Sequence, residues 1–123
     1  WSSTADGMFQ YDYVRPQECG ARSGLSSWSL SDGSNSAGSS RLTLTAEEPF
    51  TASSLPYAPD QLDIEGGRYV RHTHALKPDG NIYVAASHKM RGVGGIDSWY
   101  ELPAEEYRIP FSNYEFNFII NIK

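Results

Sequence analysis

The sequence predicts an all-β protein, built as an antiparallel β-sandwich. Several stretches alternate apolar and polar residues, turn-forming residues separate them, and aromatic residues make up 13% of the chain. Alternation with a period of two is typical of strands with one buried face, and short strands between turns are typical of sandwiches. The aromatic content suits a β protein or a carbohydrate-binding protein and does not separate the two.

Six stretches show the alternation. The predicted strands are MFQYDYV from Met8, LSSWSL from Leu25, RLTLTA from Arg41, RYVRHTHAL from Arg68, NIYVAA from Asn81 and YEFNFIINI from Tyr114. In the last stretch every second residue from Tyr114 to Ile122 is aromatic or aliphatic. This pattern predicts a long half-buried strand near the end of the chain.

Turn signals lie between these strands. SDGSNSAGSS, residues 31–40, is rich in Gly and Ser and predicts a hairpin loop. KPDGN, residues 77–81, combines Pro with Asp-Gly and predicts a tight turn between two strands. The one helix candidate is YAPDQLDIEG, with Pro59 suited to the first turn and Gly66 suited to the stop.

Length and charge limit the classes of partner. The chain has 123 residues, which predicts one domain over residues 1–123. Its net charge is −5 and its basic residues are scattered, so nucleic acid and membranes are poor partners. The longest apolar run near the end, from Phe118 to Ile120, is too short to span a bilayer. A single cysteine excludes an internal disulfide and leaves the compartment open.

Two pairs of neighbouring glutamates are candidates for acid–base catalysis. Glycoside hydrolysis needs two carboxylates about 5–10 Å apart across the scissile bond. Glu47-Glu48 and Glu105-Glu106 are adjacent in sequence, and adjacent side chains of an extended chain point to opposite faces. We therefore interpret both pairs as solvated surface charge.

Histidines are the candidate metal ligands. His72 and His74 fall on one face of a predicted strand, and His88 could join them as a third ligand. The spacing does not require this, because a structural zinc site usually has four closely spaced ligands. We favour the alternative that the pair faces solvent or a domain interface.

RPQECGAR, residues 15–22, is the first of two dense motifs. Glu18 paired with Arg15 or Arg22 would lock the turn through a charge-assisted hydrogen bond. The functional alternative is an interface or the rim of a ligand site, and we favour the structural role. Cys19 has no His partner at a motif spacing and is interpreted as a small buried residue.

The second motif is GGIDSW, residues 94–99. Its glycines allow a tight backbone that presents the following side chains. The carboxylate of Asp97 accepts hydrogen bonds from hydroxyls, and Trp99 offers a flat apolar face with an N–H at its rim. A sugar has the complementary shape. The alternative is a turn whose tryptophan covers the core.

At this point four stretches together resemble one family. HKMRGVGGIDSW from His88, EEYRIP from Glu105, the later YEF and the earlier YDYVRPQECGAR resemble the C-terminal domain of glycoside hydrolase family 2 β-galactosidases. The resemblance runs from about Phe9 to Lys123, with the motifs in the order of the family. It implies part of a galactose mutarotase-like β super-sandwich, of which this chain would span about the C-terminal half. A half of that kind is expected to expose apolar surface or to self-associate.

The resemblance also implies an activity. The family hydrolyses terminal non-reducing β-D-galactosides, lactose among them, with retention of configuration. Its two catalytic glutamates lie on a separate TIM-barrel domain, so no catalytic residue is expected in this chain. Its magnesium and sodium ions are bound by other domains, so no metal or other cofactor is expected here. The expected partners are a β-galactoside and the other domains of the enzyme, chiefly the TIM barrel, in the cytoplasm or periplasm of a bacterium.

One residue corresponds by position to a substrate contact of the family. The family's tryptophan in this motif reaches into the barrel's active site and stacks on sugar, which implies that role for Trp99. Asp97 and Ser98 are expected to shape its loop as part of the substrate site. Two departures are Cys19, where Asn is usual, and Ile96, where Asp is frequent.

Two alternatives to this β-galactosidase hypothesis remain open. One is a free-standing, non-catalytic carbohydrate-binding β-sandwich, and the other is a structural or oligomerisation module. The start at Trp1 without a methionine favours a chain that is processed or cut from something larger.

Overall fold

The computed structural model describes residues 1–9, 14, 19–34, 39–63, 73–92 and 101–123. The strands are β1 (Arg22–Ser31), β2 (Arg41–Leu55), β3 (Tyr83–Ser87) and β4 (Ile119–Ile122). The helices are α1 (Ala5–Met8), α2 (Pro59–Leu62) and two 3₁₀ turns at Thr73–Ala75 and Glu105–Tyr107. All three strand pairings are antiparallel and lie in one sheet, which confirms the all-β prediction. The second layer of a sandwich stays a prediction.

The loop between β1 and β2 is the predicted hairpin loop. Ser31 pairs with Arg41 at its base. Beyond them, the carboxylate of Asp32 accepts hydrogen bonds from the backbone N–H groups of Ser34 and Ser40, at 2.9 and 3.2 Å. These two bonds lower the pKa of Asp32 below its ordinary value. The side chain therefore ties the two ends of the loop together, which is the usual role of Asp in turns.

β2 is the central strand of the sheet. β1 lies along one edge of β2, while β4 pairs with residues 42–45 and β3 with residues 51–55 along the other. Leu25 of β1 pairs with Phe50 of β2, whereas Ser27, only two residues further along β1, pairs with Thr45. The residues of β2 between Thr45 and Phe50 therefore form a bulge. The bulge contains Pro49, which has no N–H to donate to a neighbouring strand.

The cross-strand pairs divide the sheet into an apolar and a polar face. Leu44 pairs with Trp28 on one side and Ile120 on the other, so the three side chains share one face. Thr43 pairs with Ser29 on the polar face, and their hydroxyls are 3.1 Å apart. The apolar face is Trp28, Leu30, Leu42, Leu44, Ile120 and Ile122.

This apolar face is covered unevenly. Leu44 and Trp28 are buried in one cluster with Met8 of α1. On β4 the side chains of the same face are exposed: Ile120 is 61% exposed and Ile122 is 80% exposed. The described part of the chain therefore covers the face at β1 and β2 and leaves it open at β4.

Two strand predictions are wrong in part. Of residues 114–122, only β4 is a strand. Phe116 and Phe118 instead pack edge-to-face against each other, with ring centroids 4.6 Å apart. The predicted strand from Arg68 is wrong at its C-terminal end, where Thr73–Ala75 forms a 3₁₀ turn; residues 68–72 lie outside the described residues.

The N-terminal strand prediction is also wrong at its start. Met8 is the last residue of α1, where Thr4 caps the helix by accepting a hydrogen bond from the N–H of Gly7. A small polar cap of this kind favours a helical turn over an extended chain. Residues 10–13 lie outside the described residues.

The predicted helix and the predicted turn are both present. α2 begins at Pro59, and its predicted stop at Gly66 falls outside the described residues. In the turn, the Asp79 carboxylate accepts a hydrogen bond of 3.0 Å from the N–H of Asn81. Gly80 has a φ of +91°, which explains why glycine stands there. The turn leads into β3, but a 3₁₀ turn rather than a strand precedes it.

Candidate functional site

The predicted substrate-site residues Asp97, Ser98 and Trp99 lie in residues 93–100, outside the described residues. The chain is described on both sides of them. We call these two flanking segments, residues 88–92 and 101–109, the loop stem. The loop stem lies directly before and after the predicted site residues, so its geometry shows how the chain enters and leaves this segment.

The two halves of the loop stem meet at Gly92. Its backbone N–H donates a hydrogen bond of 2.8 Å to the carbonyl of Tyr107. A Cβ at position 92 would lie 2.6 Å from the Cβ of Tyr107 and 3.2 Å from the Cβ of Pro103. Glycine is required here by this close approach, which brings the start of the loop against the segment that follows it.

The return half of the loop stem is fixed by its own hydrogen bonds. The guanidinium Nε of Arg108 donates to the carbonyl of Pro103 at 2.6 Å, and Pro103 is buried. The 3₁₀ turn between them closes with a bond of 2.9 Å from the N–H of Tyr107 to the carbonyl of Ala104. The surface that Gly92 meets is therefore an ordered turn.

His88 fixes the other end of the outgoing half. Its Nε2 lies 2.9 Å from a carboxylate oxygen of Glu48 on β2. Its ring stacks on Phe116, with centroids 4.0 Å apart and planes 11° from parallel. His88 thus contacts two other segments directly after β3 ends.

Aromatic contacts connect this stack to the core. Phe118 packs edge-to-face on Phe116 and then on Phe50, where the centroids are 5.4 Å apart. Phe50 is 1% exposed. Next to His88, the ammonium of Lys89 lies 5.9 Å from the ring centroid of Tyr114, a distance that permits a cation–π contact. Three segments of the resemblance, from His88, Glu105 and Tyr114, therefore meet around the loop stem.

A cleft of about 280 Å³ opens between the halves of the loop stem and β2. Its lining includes Ser23, Thr51, His88, Lys89, Glu106 and Arg108. Hydroxyls, cations and a carboxylate of this kind can hydrogen-bond a polyhydroxylated ligand. Glu106 is the one carboxylate among the described residues that line it, so these residues could orient a ligand but lack the carboxylate pair that glycoside hydrolysis requires.

Of the other candidates from the sequence, the structure brings Glu48 and His88 together, and it forms no carboxylate pair or metal-binding group among the described residues. Glu47, Glu48, Glu105 and Glu106 are exposed, as expected for surface charge. His74 lies on a 3₁₀ turn rather than a strand, and His72 and residues 15–18 are outside the described residues. Within those residues, no three His, Cys, Asp or Glu side chains are grouped so that they could hold a metal ion. Cys19 is buried, as predicted.

Sequence reasoning missed the contact between His88 and Glu48. The two residues are separated by 40 positions, and no local spacing connects them. The only available signal was that His88 stands at the start of the glycine motif.

No helix in the described part of the chain is long and apolar enough to cross a membrane.

Comparison with known proteins gives one family match. A family model described as the beta galactosidase small chain matches residues 1–120. The matched range includes both halves of the loop stem and the predicted site residues between them. No solved structure matches the chain.

Proposed function

The chain belongs to the β-galactosidase small-chain family, and we propose that it serves such an enzyme by lending Trp99 to the substrate site. In this proposal the enzyme hydrolyses terminal non-reducing β-D-galactosides with retention. The nucleophile and the acid/base are glutamates of a TIM-barrel domain, and this chain supplies no catalytic residue. It binds and orients the substrate.

The observation that supports this proposal most is the contact at Gly92. The two halves of the loop stem are held together there by a 2.8 Å hydrogen bond and by the close approach of Gly92 to the Cβ of Tyr107, and in this proposal the residues between the two halves reach another domain. Trp99 is one of those residues by sequence position. A stem fixed in this way would lower the conformational entropy lost when Trp99 contacts a ligand.

The chemistry of the loop residues suits a sugar. The indole face of Trp99 would stack on the apolar C–H face of a galactoside, while the carboxylate of Asp97 and the hydroxyl of Ser98 would hold the loop by accepting hydrogen bonds from backbone N–H groups. Stacking of this type contributes to binding but transfers no proton. The proposal therefore assigns proton transfer and nucleophilic attack to another domain.

The proposal also assigns partners. Ile119, Ile120 and Ile122 of β4 are each at least 60% exposed, and exposed apolar side chains on neighbouring positions favour contact with another surface. We assign that surface to other domains of the same enzyme, chiefly the TIM barrel, with self-association of the chain when it is isolated. Magnesium and sodium, where the enzyme uses them, are assigned to those other domains.

The test is Trp99→Ala in the β-galactosidase that contains this chain. We expect KM for a β-galactoside to rise and kcat/KM to fall about fivefold, because a stacking contact of roughly 1 kcal/mol is lost. Trp1→Ala, which removes another tryptophan that is 75% exposed, is the matched control and should leave the kinetics unchanged. Identical kinetics for Trp99→Ala and the unmodified enzyme would show that this role is wrong.

The free-standing carbohydrate-binding sandwich predicts a different result. It requires that the isolated chain bind galactosides in a calorimetric titration, with Trp99→Ala abolishing the heat. Our proposal predicts little binding by the isolated chain, because another domain completes the site. Strong Trp99-dependent binding by the chain alone would favour the alternative.

A further inference from the structure

Two buried polar atoms have no hydrogen-bond partner among the residues that the structure describes. They are the indole Nε1 of Trp28 on β1 and the hydroxyl oxygen of Ser54 on β2. Trp28 is 9% exposed and Ser54 is 1% exposed. A buried polar group without a partner is costly, so nearly all such groups in folded proteins are paired. Both atoms therefore call for a partner from outside the described residues.

Both residues line the same cleft, which has a volume of about 490 Å³. Five residues between Trp1 and Met8 form one wall, and the consecutive residues from Ser27 to Ser31 form another. Consecutive side chains of a strand point to alternate faces, and β1 pairs only with β2 in the described sheet. The cleft therefore spans the outer edge of β1, and its volume is within the range of small-molecule sites.

The cleft is complementary to a ligand that accepts hydrogen bonds. An indole N–H and a guanidinium such as that of Arg41 only donate, whereas a serine hydroxyl donates and accepts. No carboxylate is found among the described residues that line the cleft. The apolar side chains of Met8, Leu25 and Leu30 line it as well. A fitting ligand therefore presents both oxygen acceptors and carbon surface.

The burial of the two unpartnered groups favours a neutral ligand. Neither the indole of Trp28 nor the hydroxyl of Ser54 is charged, and a charge taken to their depth would lose its hydration. Arg41 is the one cationic side chain among the described lining residues. It is exposed, so water and salt screen its charge. Hydroxyl and ring oxygens on an apolar C–H frame, as in a saccharide, meet these requirements.

We propose that this cleft binds a small neutral saccharide, with the indole N–H of Trp28 donating to one sugar oxygen and the hydroxyl of Ser54 bonding to another. The inference goes beyond the proposed function and does not depend on Trp99, because every residue used for it is described by the structure. It assigns the cleft a role in binding and none in bond cleavage. An ordered water would satisfy the same two atoms, and the experiment separates it from a sugar.

The test is hydrogen–deuterium exchange in the β-galactosidase that contains the chain, followed by mass spectrometry during a titration with D-galactose. We expect D-galactose to slow exchange in residues 1–8 and in β1, because these segments form the walls of the cleft. β3 is the internal reference, since none of its residues lines the cleft and a general effect of sugar on the solvent would slow it equally. Absence of local slowing would leave a hydration site only and would overturn the proposal.

Ser54→Ala removes one of the two unpartnered groups and preserves most of the side-chain volume. The D-galactose concentration at half-maximal slowing should rise about fivefold, which corresponds to one net hydrogen bond. Ser53→Ala is the matched control, because the neighbouring serine of β2 is only partly buried and does not line the cleft. This control should leave the midpoint unchanged. Equal midpoints in the two variants would overturn the proposal.

Trp28→Phe removes the indole N–H and keeps an aromatic ring in the core. Its midpoint should rise in the same way, and an unchanged midpoint would contradict the role of the N–H. If this variant fails to fold, the comparison of Ser54→Ala with Ser53→Ala decides alone. Sodium acetate is the probe for a charged ligand, and stronger local slowing by acetate than by D-galactose would contradict a neutral saccharide.

Trp99→Ala separates this inference from the proposed function. D-Galactose should still slow exchange in β1 of that variant. Loss of the slowing would show that the effect comes from the substrate site and would overturn the cleft as a saccharide site. The proposed function is judged by the kinetics of Trp99→Ala, so either conclusion can fail without the other.

Discussion

The N–H of Gly92 lies 2.8 Å from the carbonyl oxygen of Tyr107, and a Cβ on Gly92 would come within 2.6 Å of the Cβ of Tyr107. The same approach makes the hydrogen bond and excludes a side chain. This relationship explains why a glycine precedes the loop in which Trp99 lies. It does not explain the glycines at 94 and 95, which fall outside the described residues.

Gly92→Ala is expected to destabilise the protein by about 1–3 kcal/mol, the usual cost of forcing an extra methyl into a packed contact. The cost arises because the Cβ of Tyr107 is attached to backbone that is itself held in a 3₁₀ turn. The free energy of unfolding from urea titration measures it. Glu101→Ala, an exposed change beside the same loop, should stay within about 0.5 kcal/mol of the unmodified chain. Equal stability of the two variants would contradict the close contact.

The pair of Asp79 and Tyr83 makes stability depend on pH in two windows. The Tyr83 hydroxyl donates to the Asp79 carboxylate at 2.5 Å. This bond, and then the N–H of Asn81, lowers the pKa of Asp79 below 3.8, while the carboxylate raises the pKa of Tyr83 above 10.0. Both shifts follow from a hydrogen bond that needs an ionised carboxylate and a neutral phenol.

The signs of the two windows are opposite. Because the native pKa of Asp79 is lowered, its contribution is present above pH 3.8 and is lost as the pH falls through the lower native value. Because the native pKa of Tyr83 is raised, its contribution is present below pH 10.0 and is lost as the pH rises through the higher value.

Tyr83→Phe should therefore reduce stability at neutral pH and match the unmodified chain more closely at both extremes. An NMR titration should also find the pKa of Asp79 closer to 3.8 in this variant. Tyr114→Phe is the control, since that hydroxyl donates to the carbonyl of Pro110, which does not titrate. An Asp79 pKa that is the same in Tyr83→Phe and the unmodified chain would contradict the bond.

Leu44 and Ile120 are cross-strand neighbours with unequal burial, 6% and 61% exposed. Leu44→Ala should cost about 2–5 kcal/mol of unfolding free energy, because it leaves a cavity in the buried cluster. Ile120→Ala should cost less than about 1 kcal/mol in the isolated chain, because water already reaches the side chain.

The same face predicts self-association. Ile120→Lys should lower association of the isolated chain in sedimentation velocity, because it places a charge in the exposed part of the apolar face. The matched change on the other face is Asn121→Lys. Equal losses of unfolding free energy in Ile120→Ala and Leu44→Ala would contradict the exposure of Ile120. Equal association of the two lysine variants would contradict self-association through the apolar face at β4.

How much the sequence predicted varies from element to element. The hairpin from β1 to β2 was predicted because its information is local: a period of two, and a loop whose Asp32 ties its own ends. The start of α2 at Pro59 and the turn at Gly80 are local in the same sense. The strand predicted over residues 114–122 was half wrong, since Phe116 alternates like a strand residue but stacks on His88.

The sequence by itself determined the fold class, the turns and the family resemblance, because these depend on side-chain periodicity, turn chemistry and residue identity. Only the tertiary structure decided that residues from His88, Glu105 and Tyr114 meet around one loop stem, and that Glu48 pairs with His88 across 40 positions. It also decided that the apolar face is buried at Leu44 and open at Ile120. The physical reason is that contacts between distant segments depend on how strands register and pack in three dimensions, and a periodic pattern records only which side of its own strand a residue occupies.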